Sequence, residues 1–134
     1  MASAFGHAFT ALAIGKTYSK SMASWKFISL GIFCSILPDA DVISFYVGIP
    51  YDHLLGHRGF FHSLLFAVIL GILITIIFYP KELKTWKGSG LLLYFTLCTA
   101  SHSLLDAMTS GGLGVAFYSP WDNTRYFLPW RPIK

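Results

Sequence analysis

Long apolar segments alternate with short polar segments along this chain, and the pattern predicts four helices. The clearest segment is Phe60–Tyr79, in which the stretch Leu64–Ile77 contains only apolar residues, one glycine and one threonine. A helix needs about 20 such residues to cross the hydrocarbon core of a membrane. Similar segments cover about Trp25–Phe45 and Gly90–Met108, and a shorter one, rich in small residues, covers Ala4–Tyr18. We therefore predict an all-α integral membrane bundle of about four helices.

The composition supports a membrane protein. Of the 134 residues, 54% are hydrophobic and only 12% are charged, whereas about 25% of the residues in a typical soluble domain are charged. A soluble protein of this length cannot bury so much apolar surface in its core, so we expect one membrane-embedded domain over residues 1–134. The N-terminus lacks a basic segment and a small-residue cleavage site, which argues against a cleaved signal peptide. Cys34 and Cys98 lie inside apolar segments and are predicted to be buried.

Lysines are concentrated in two of the predicted connecting loops, the first and the last. In an up-down bundle these loops share a side, and the positive-inside rule places that side in the cytoplasm. Both termini and the central loop Gly48–Gly59 would then face outward from a bacterial inner membrane. Six of the ten basic residues lie in the two loops: Lys16, Lys20, Lys26, Lys81, Lys84 and Lys87.

Histidines and aspartates lie in or beside the apolar segments, on the side away from the lysines. They occur early in the first and third segments and late in the second and fourth, as antiparallel helices require if these groups meet. Titratable groups are costly at membrane depth unless they are paired, hydrated or bound to a metal. Because histidine and aspartate together suit divalent cations, we predict one metal centre with contributions from all four helices. The residues concerned are His7, Asp39, Asp41, His57, His62, His102 and Asp106.

Two motifs supply the carboxylates. His102 and Asp106 are four residues apart, so one helix face presents an imidazole and a carboxylate to the same point; a simple His–Asp hydrogen bond is the alternative. The segment Leu37–Asp41 ends an apolar run with two aspartates, for which helix capping is the alternative. Asp41 is our first choice as a metal ligand, and Asp39 is predicted to be its partner, a second ligand or a general base.

The segment His57–Ser63 places two histidines around an arginine, before the third helix. Both His57 and His62 are predicted ligands, and the sequence does not decide which of them binds directly. Arg58 is predicted to neutralise charge on a phosphoryl group, because the guanidinium donors match phosphate geometry; a contact with lipid headgroups is the alternative. His7, alone at the start of the first helix, is predicted to be a further ligand.

The chain changes character after Met108. Glycines are followed by aromatic residues and prolines, a pattern typical of an irregular segment lying at the level of lipid headgroups. Arg125 and Arg131 in this tail are candidate anion contacts. Asp52 and His53 lie in the polar central loop, and we leave them outside the predicted site.

Taken together, the motifs resemble those of the YdjM family of inner-membrane proteins, which is regarded as a family of metal-dependent hydrolases. The resemblance covers nearly the whole chain and is carried by G-H at 6–7, L-P-D-A-D at 37–41, H-R-G-x-x-H-S at 57–63 and S-H-S-x-x-D at 101–106. More distantly, the family is similar to zinc phospholipase C and the zinc-dependent single-strand nucleases, helical enzymes that hydrolyse phosphate esters at clustered zinc ions. That similarity implies that Asp106 bridges two metals. The ligands it implies are His7, Asp41, His62, His102 and Asp106.

One departure from the more distant enzymes changes the expected metal content. Those enzymes supply further ligands after the H-x-x-x-D pair, but here no histidine follows His102 and Asp122 is the only later carboxylate side chain. We therefore expect a centre of one or two divalent ions, with zinc favoured, and not a larger cluster.

These observations predict a membrane-bound metal-dependent hydrolase that cleaves a phosphoester at the outer face of the membrane. A phospholipid headgroup is the natural substrate at that position, membrane lipid is the expected partner, and no nucleic-acid partner is expected. The first alternative is a metal-binding or metal-transport protein without hydrolase activity. Transport would need polar groups that continue to the lysine side, where the last two helices carry only Thr75 and Thr96. The second alternative is a structural bundle whose polar groups hold the helices together.

Overall fold

Four long helices form a bundle in the computed structural model, which describes residues 3–18 and 24–133. Within these ranges there is no strand, and the predicted all-α fold is confirmed. Short 3-10 turns follow α2, precede α4 and precede α5, at Leu37–Val42, Phe60–His62 and Pro80–Glu82. The α-helices are α1 (Ala4–Tyr18), α2 (Trp25–Ile36), the single-turn α3 (Ile43–Tyr46), α4 (Leu64–Phe78) and α5 (Trp86–Ala107).

Hydroxyl side chains mark the start of three helices. Ser24, Ser63 and Thr85 each accept a hydrogen bond from the backbone N–H three residues later, at 3.2, 3.0 and 3.2 Å. Caps of this kind typically stabilise a helix by about 1 kcal/mol. After α2, Pro38 lacks the N–H that would continue the α-helical ladder, and the chain tightens into the 3-10 turn Leu37–Val42, which carries Asp39 and Asp41.

Aromatic packing joins α1, α2 and α5, and α4 packs along α5. The rings of Phe27 and Tyr94 are stacked, with centroids 3.9 Å apart. Gly31 permits this approach, since a Cβ at that position would overlap the Tyr94 hydroxyl. Cys34 and Cys98 are fully buried free thiols in the same core, as predicted.

The lysine-bearing start of α2 lies at the same end of the bundle as the loop between α4 and α5. Lys26 donates a hydrogen bond from Nζ to the carbonyl oxygen of Phe78 at 2.7 Å and lies 4.6 Å from the ring centroid of Tyr79. The start of α2 is therefore tied to the end of α4, as the up-down arrangement predicts. Lys20 lies outside the described residues.

One stretch of helix in the described part of the chain is long and apolar enough to cross a membrane by itself, namely Trp25–Tyr46. It combines α2, the 3-10 turn and α3, and it matches the predicted second segment. α1 has the predicted bounds, Ala4–Tyr18. The last two predicted segments differ: α4 has 15 residues because a 3-10 turn precedes it, and α5 begins at Trp86, has 22 residues and carries polar side chains in its last two turns. The outward face of α4 is nevertheless apolar, with exposed side chains at Val68, Ile69, Ile72, Leu73, Ile76 and Ile77.

The segment after α5 is irregular and rich in aromatic residues, as predicted. It is held by isolated backbone contacts, including an antiparallel bridge between Val115 and Tyr126 and a hydrogen bond from the Ala116 N–H to the Arg58 carbonyl at 3.1 Å. Trp130 is 71% exposed. The tail thus covers the loop that precedes α4, at the end of the bundle away from the lysines.

Candidate metal centre

Side chains from three parts of the bundle converge at the end away from the lysines. Asp39 comes from the 3-10 turn after α2, His62 from the turn before α4, and His102 and Asp106 from the last two turns of α5. One ligand atom of each lies within 4.8 Å of the corresponding atoms of the other three. We call these residues the four-residue group. Among the described residues, they are the His, Cys, Asp and Glu side chains placed to share one ion.

The two histidines of the group point their Nε2 atoms at each other, 3.0 Å apart. Nδ1 of His102 lies 2.7 Å from the Ser35 carbonyl oxygen, and Nδ1 of His62 lies 3.0 Å from Oδ2 of Asp41. The second contact is close but poorly aligned as a hydrogen bond, so it acts mainly through charge. Acceptors beside both Nδ1 atoms favour the proton there and leave a lone pair on each Nε2.

Two lone pairs at this distance repel each other unless a proton or a cation lies between them. Zinc holds histidine nitrogens at 2.0–2.1 Å, which places two tetrahedral ligands about 3.3 Å apart. The carboxylates complete the set: Oδ1 of Asp39 lies 3.4 Å from Nε2 of His102, and Oδ2 of Asp106 lies 3.6 Å from Nε2 of His62. The residues present therefore fit a divalent cation of the zinc type.

Asp41, our first choice as a metal ligand, contacts Nδ1 of His62 and not its Nε2. Asp39 is the aspartate of this turn that belongs to the four-residue group. Oδ1 of Asp41 lies 2.6 Å from Nδ1 of His57, and Oδ2 accepts a hydrogen bond from the Arg58 N–H at 3.0 Å. Both oxygens are thus engaged by the loop before α4. Residues two apart in a 3-10 turn project to different sides, so Asp39 and Asp41 face different neighbours.

Asp106 faces different histidines with its two oxygens. Oδ2 lies 3.8 Å from Nε2 of His102, and Oδ1 lies 3.8 Å from Nε2 of His7. The His7 ring is stacked on the His102 ring, with centroids 3.7 Å apart, and both of its nitrogens are buried without a hydrogen-bond partner. His7 is therefore adjacent to the four-residue group but does not belong to it.

Arg58 is fully buried, and its backbone adopts a left-handed conformation with φ of 62°. Such a conformation costs of order 1–3 kcal/mol in a residue other than glycine. The side chain places Nε 2.9 Å from Oδ2 of Asp106, a charge contact without hydrogen-bond alignment. Nη1 donates to the Gly111 carbonyl at 2.9 Å, whereas Nη2 is buried without a partner. Arg58 therefore contacts a member of the four-residue group, and its predicted role toward a phosphoryl group stays a prediction.

His57, a predicted metal ligand, and Arg125, a candidate anion contact, each bind other parts of the protein in the structure. His57 bonds Asp41 through Nδ1 and lies outside the four-residue group, although its Nε2 is buried without a partner. Arg125, a candidate anion contact, donates to the carbonyls of His57 and Tyr51 at 2.8 and 2.6 Å, and burial lowers the pKa of its guanidinium. It therefore fastens the tail to the loop. The guanidinium of Arg131 lies 4.8 Å from the ring centroid of Phe127.

Three further polar residues, Asp122, Asp52 and His53, lie outside the four-residue group. Asp122 accepts hydrogen bonds from the Thr124 N–H at 2.8 Å and the Tyr126 hydroxyl at 3.0 Å. These bonds lower the pKa of its carboxyl group, with the contribution of Thr124 the largest. Asp52 and His53 are exposed in the central loop. None of the three supplies a further ligand to the group.

Ser35, which was not predicted from the sequence, contributes a backbone carbonyl and not its side chain. A signal was nevertheless present, because the last carbonyls of a helix have no partner within it. Pro38 shows that α2 ends just beyond Ser35. One of the freed carbonyls accepts from His102, 67 positions later in the chain.

Comparison with known proteins places the chain in a family. The whole chain, residues 1–134, matches the family described as YdjM inner membrane protein. Inner membrane protein YbcI from Escherichia coli strain K12 is 40% identical over 131 residues, which cover 96% of this chain and 73% of that protein. No solved structure matches the chain. The resemblance noted in the motifs is therefore confirmed, and the chain belongs to the YdjM inner membrane protein family.

Proposed function

We propose that this protein is a membrane-bound, metal-dependent hydrolase that cleaves a phosphoester, with a phospholipid as its substrate. The observation that carries the proposal is the approach of His62 and His102 through their Nε2 atoms at 3.0 Å, flanked by Asp39 and Asp106. Two imidazoles and two carboxylates around one point form a ligand set typical of zinc and similar ions. Membership of an inner membrane protein family agrees with the lipid environment.

A second ion has a candidate position beside the first. Oδ1 of Asp106 faces His7, while Oδ2 faces His62 and His102. A carboxylate that directs one oxygen to each side suits the bridging role implied by the family resemblance. His7 supplies a buried nitrogen without a partner on that side. One ion in the four-residue group, with a second near His7, is the arrangement that we propose.

The residues of the chain orient the centre and balance its charge. When bound, a divalent cation supplies Lewis acidity that activates water and polarises a phosphoryl oxygen. Asp41 holds His62, and the Ser35 carbonyl holds His102, so that both Nε2 atoms face the same point. Asp39 is the most exposed member of the group, with 20% of its side chain accessible, although the oxygen that faces His62 and His102, Oδ1, is buried; we propose that substrate approaches from this side.

Arg58 is the residue that we propose for charge developing on the phosphoryl group. Its charge offsets Asp106, and its free Nη2 is a donor without an acceptor in the protein. A phosphoryl oxygen is an acceptor of the kind that Arg donors bind well. Removal of one preorganised donor of this type typically lowers kcat by about 10²–10³-fold.

We further propose that the bundle crosses the membrane with the lysine end in the cytoplasm and the centre outward. The helical stretch Trp25–Tyr46, which is long and apolar enough to cross a membrane, has 22 residues and spans about 33 Å at 1.5 Å per residue, close to a hydrocarbon core of about 30 Å. Exposed tryptophans occur at both ends, as in the aromatic belts of membrane proteins. Trp25 and Trp86 lie at the lysine end, and Trp121 and Trp130 lie in the tail.

The test combines metal analysis with a lipid assay on one preparation. Protein purified in detergent should contain about one or two zinc-type ions per chain by elemental analysis. It should release phosphorus-containing headgroups from phosphatidylglycerol vesicles, and removal of the metal by a chelator should abolish this release. Bound metal without hydrolysis of vesicles or soluble phosphodiesters would favour the alternative of a metal-binding protein. Protein without bound metal would contradict the proposal.

A further inference from the structure

Two apolar clefts flank the 3-10 turn Leu37–Val42. The larger encloses about 600 Å³ between this turn, α3 and α4, and the smaller encloses about 360 Å³ between the turn and the end of α2. Leu37 and Ala40 line both clefts, so the clefts meet at the turn. A volume of 600 Å³ lies within the range of sites that hold small molecules.

The larger cleft runs along α4, away from the metal centre. Phe66, Leu70 and Leu73 line its wall, and their spacing of four and three residues places them on one helix face. From Phe66 to Leu73 the helix rises about 10 Å. The cleft therefore begins beside the polar end of the bundle and extends toward the level of the membrane midplane.

The smaller cleft leads to the accessible side of the centre. Asp39 lines it and is 20% exposed, whereas the side chains of His62, His102 and Asp106 are at most 1% exposed. Asp39 is therefore the member of the four-residue group nearest to solvent, although its Oδ1, which faces the histidines, is buried. Both clefts and the approach to the centre meet at one short turn.

We propose that the two clefts hold the acyl chains of one diacyl phospholipid, whose phosphate lies at Asp39. This inference rests on the proposed function, because the metal centre is what would draw a phosphate to that position. Ala40 lies between the clefts, and its small side chain leaves room for two chains to diverge from one glycerol. Each chain would extend along apolar walls while the headgroup faces the ligand set.

The chemistry of the walls favours a lipid over a peptide segment or a neighbouring helix. The lining side chains are apolar except for Asp41 and Ser44 in the larger cleft and Asp39 in the smaller one. An extended peptide would leave backbone N–H and C=O groups without partners there, which is costly. An acyl chain has no such groups, and each buried methylene adds to binding.

Photocrosslinking locates the lipid without relying on turnover. Detergent-purified protein is exposed to phosphatidylglycerol with a diazirine in one acyl chain, and the labelled peptides are mapped by mass spectrometry. Label is expected on α3 and the first half of α4, and excess unlabelled phosphatidylglycerol should displace it whereas glycerol phosphate should not. Leu73→Trp narrows the larger cleft, and Leu93→Trp on α5 is the matched control, since these side chains are 48% and 54% exposed.

In the Leu73→Trp variant the specific label should fall about tenfold, the loss expected when roughly two methylenes can no longer be buried. In Leu93→Trp it should be unchanged. Label spread evenly over the apolar surface, or equal loss in both variants, would overturn the inference. This result can be distinguished from the test of the proposed function. Localised label without any hydrolysis would support the lipid site but not the hydrolase. Hydrolysis of a soluble phosphodiester without localised label would refute the lipid site but not the hydrolase.

Discussion

His62 and His102 approach through Nε2 at 3.0 Å, although they are 40 residues apart and lie on different elements. Each ring is held from behind at Nδ1, His62 by a carboxylate and His102 by a backbone carbonyl. If the two histidines only held their helices together, one ring would donate a hydrogen bond to the other, with the proton between the two Nε2 atoms. Here the Ser35 carbonyl behind His102 and the charge of Asp41 behind His62 favour protons on the two Nδ1 atoms, away from the shared point, which favours a cation there.

Removal of one of these rings should remove the metal. In His102→Ala, the four-residue group loses one of its two nitrogens, and we expect no stoichiometric metal in purified protein by elemental analysis. His53→Ala is the matched control, because His53 is an exposed loop histidine and its Nδ1 accepts only a local N–H from Leu55 at 3.1 Å. Full metal content in His102→Ala, with normal membrane insertion, would refute the assigned centre.

Asp41→Asn tests whether that carboxylate positions His62 without binding metal itself. The amide keeps the shape but loses the charge that orients His62 and His57, so zinc should still bind, with an affinity lower by about 10–100-fold. Competition titration with a fluorescent zinc chelator measures the change, and Asp52→Asn in the exposed loop is the control. Complete loss of binding would instead make Asp41 a direct ligand, as the sequence first suggested.

The difference between Asp39 and Asp41 shows how far sequence reasoning reaches in this protein. The apolar segments predicted the helices, and the alternation of polar ends predicted that histidines and aspartates meet away from the lysines. The sequence does not show which of two aspartates faces inward, because a change from α-helix to 3-10 turn rotates neighbouring side chains by different angles. Pro38 indicates that carbonyls near the end of α2 are free, but the sequence does not show that the Ser35 carbonyl contacts His102.

The lengths of the apolar helices were predicted less well than their positions. Hydropathy placed the third segment at Phe60–Tyr79, but the helix begins at Leu64 because Ser63 caps it, with its side chain accepting from the Phe66 N–H. The residues before the cap are needed to carry His62 into the centre. A site within an apolar segment therefore shortens the regular helix that hydropathy alone predicts.

Arg58→Lys should separate metal binding from turnover. Lysine keeps a positive charge near Asp106 but lacks the planar fork of donors, so metal content should be unchanged while phosphodiester turnover falls by about 10²-fold. Arg131→Lys is the matched control, because Arg131 lies in the tail over Phe127. The measurement is turnover per metal-loaded protein. Turnover equal to that of the unsubstituted protein would remove Arg58 from the mechanism.

The proposed orientation makes a prediction about chemical access from each side of the membrane. Thr124 in the tail and Lys84 before α5 are both exposed and lie toward opposite ends of the bundle. Single cysteines there should report the two sides, because Cys34 and Cys98 are fully buried and should react slowly. In spheroplasts, a membrane-impermeant maleimide should label Thr124→Cys at once and label Lys84→Cys only after permeabilisation. The opposite pattern would place the centre in the cytoplasm, and immediate labelling of both positions would show that the bundle does not separate them across the membrane.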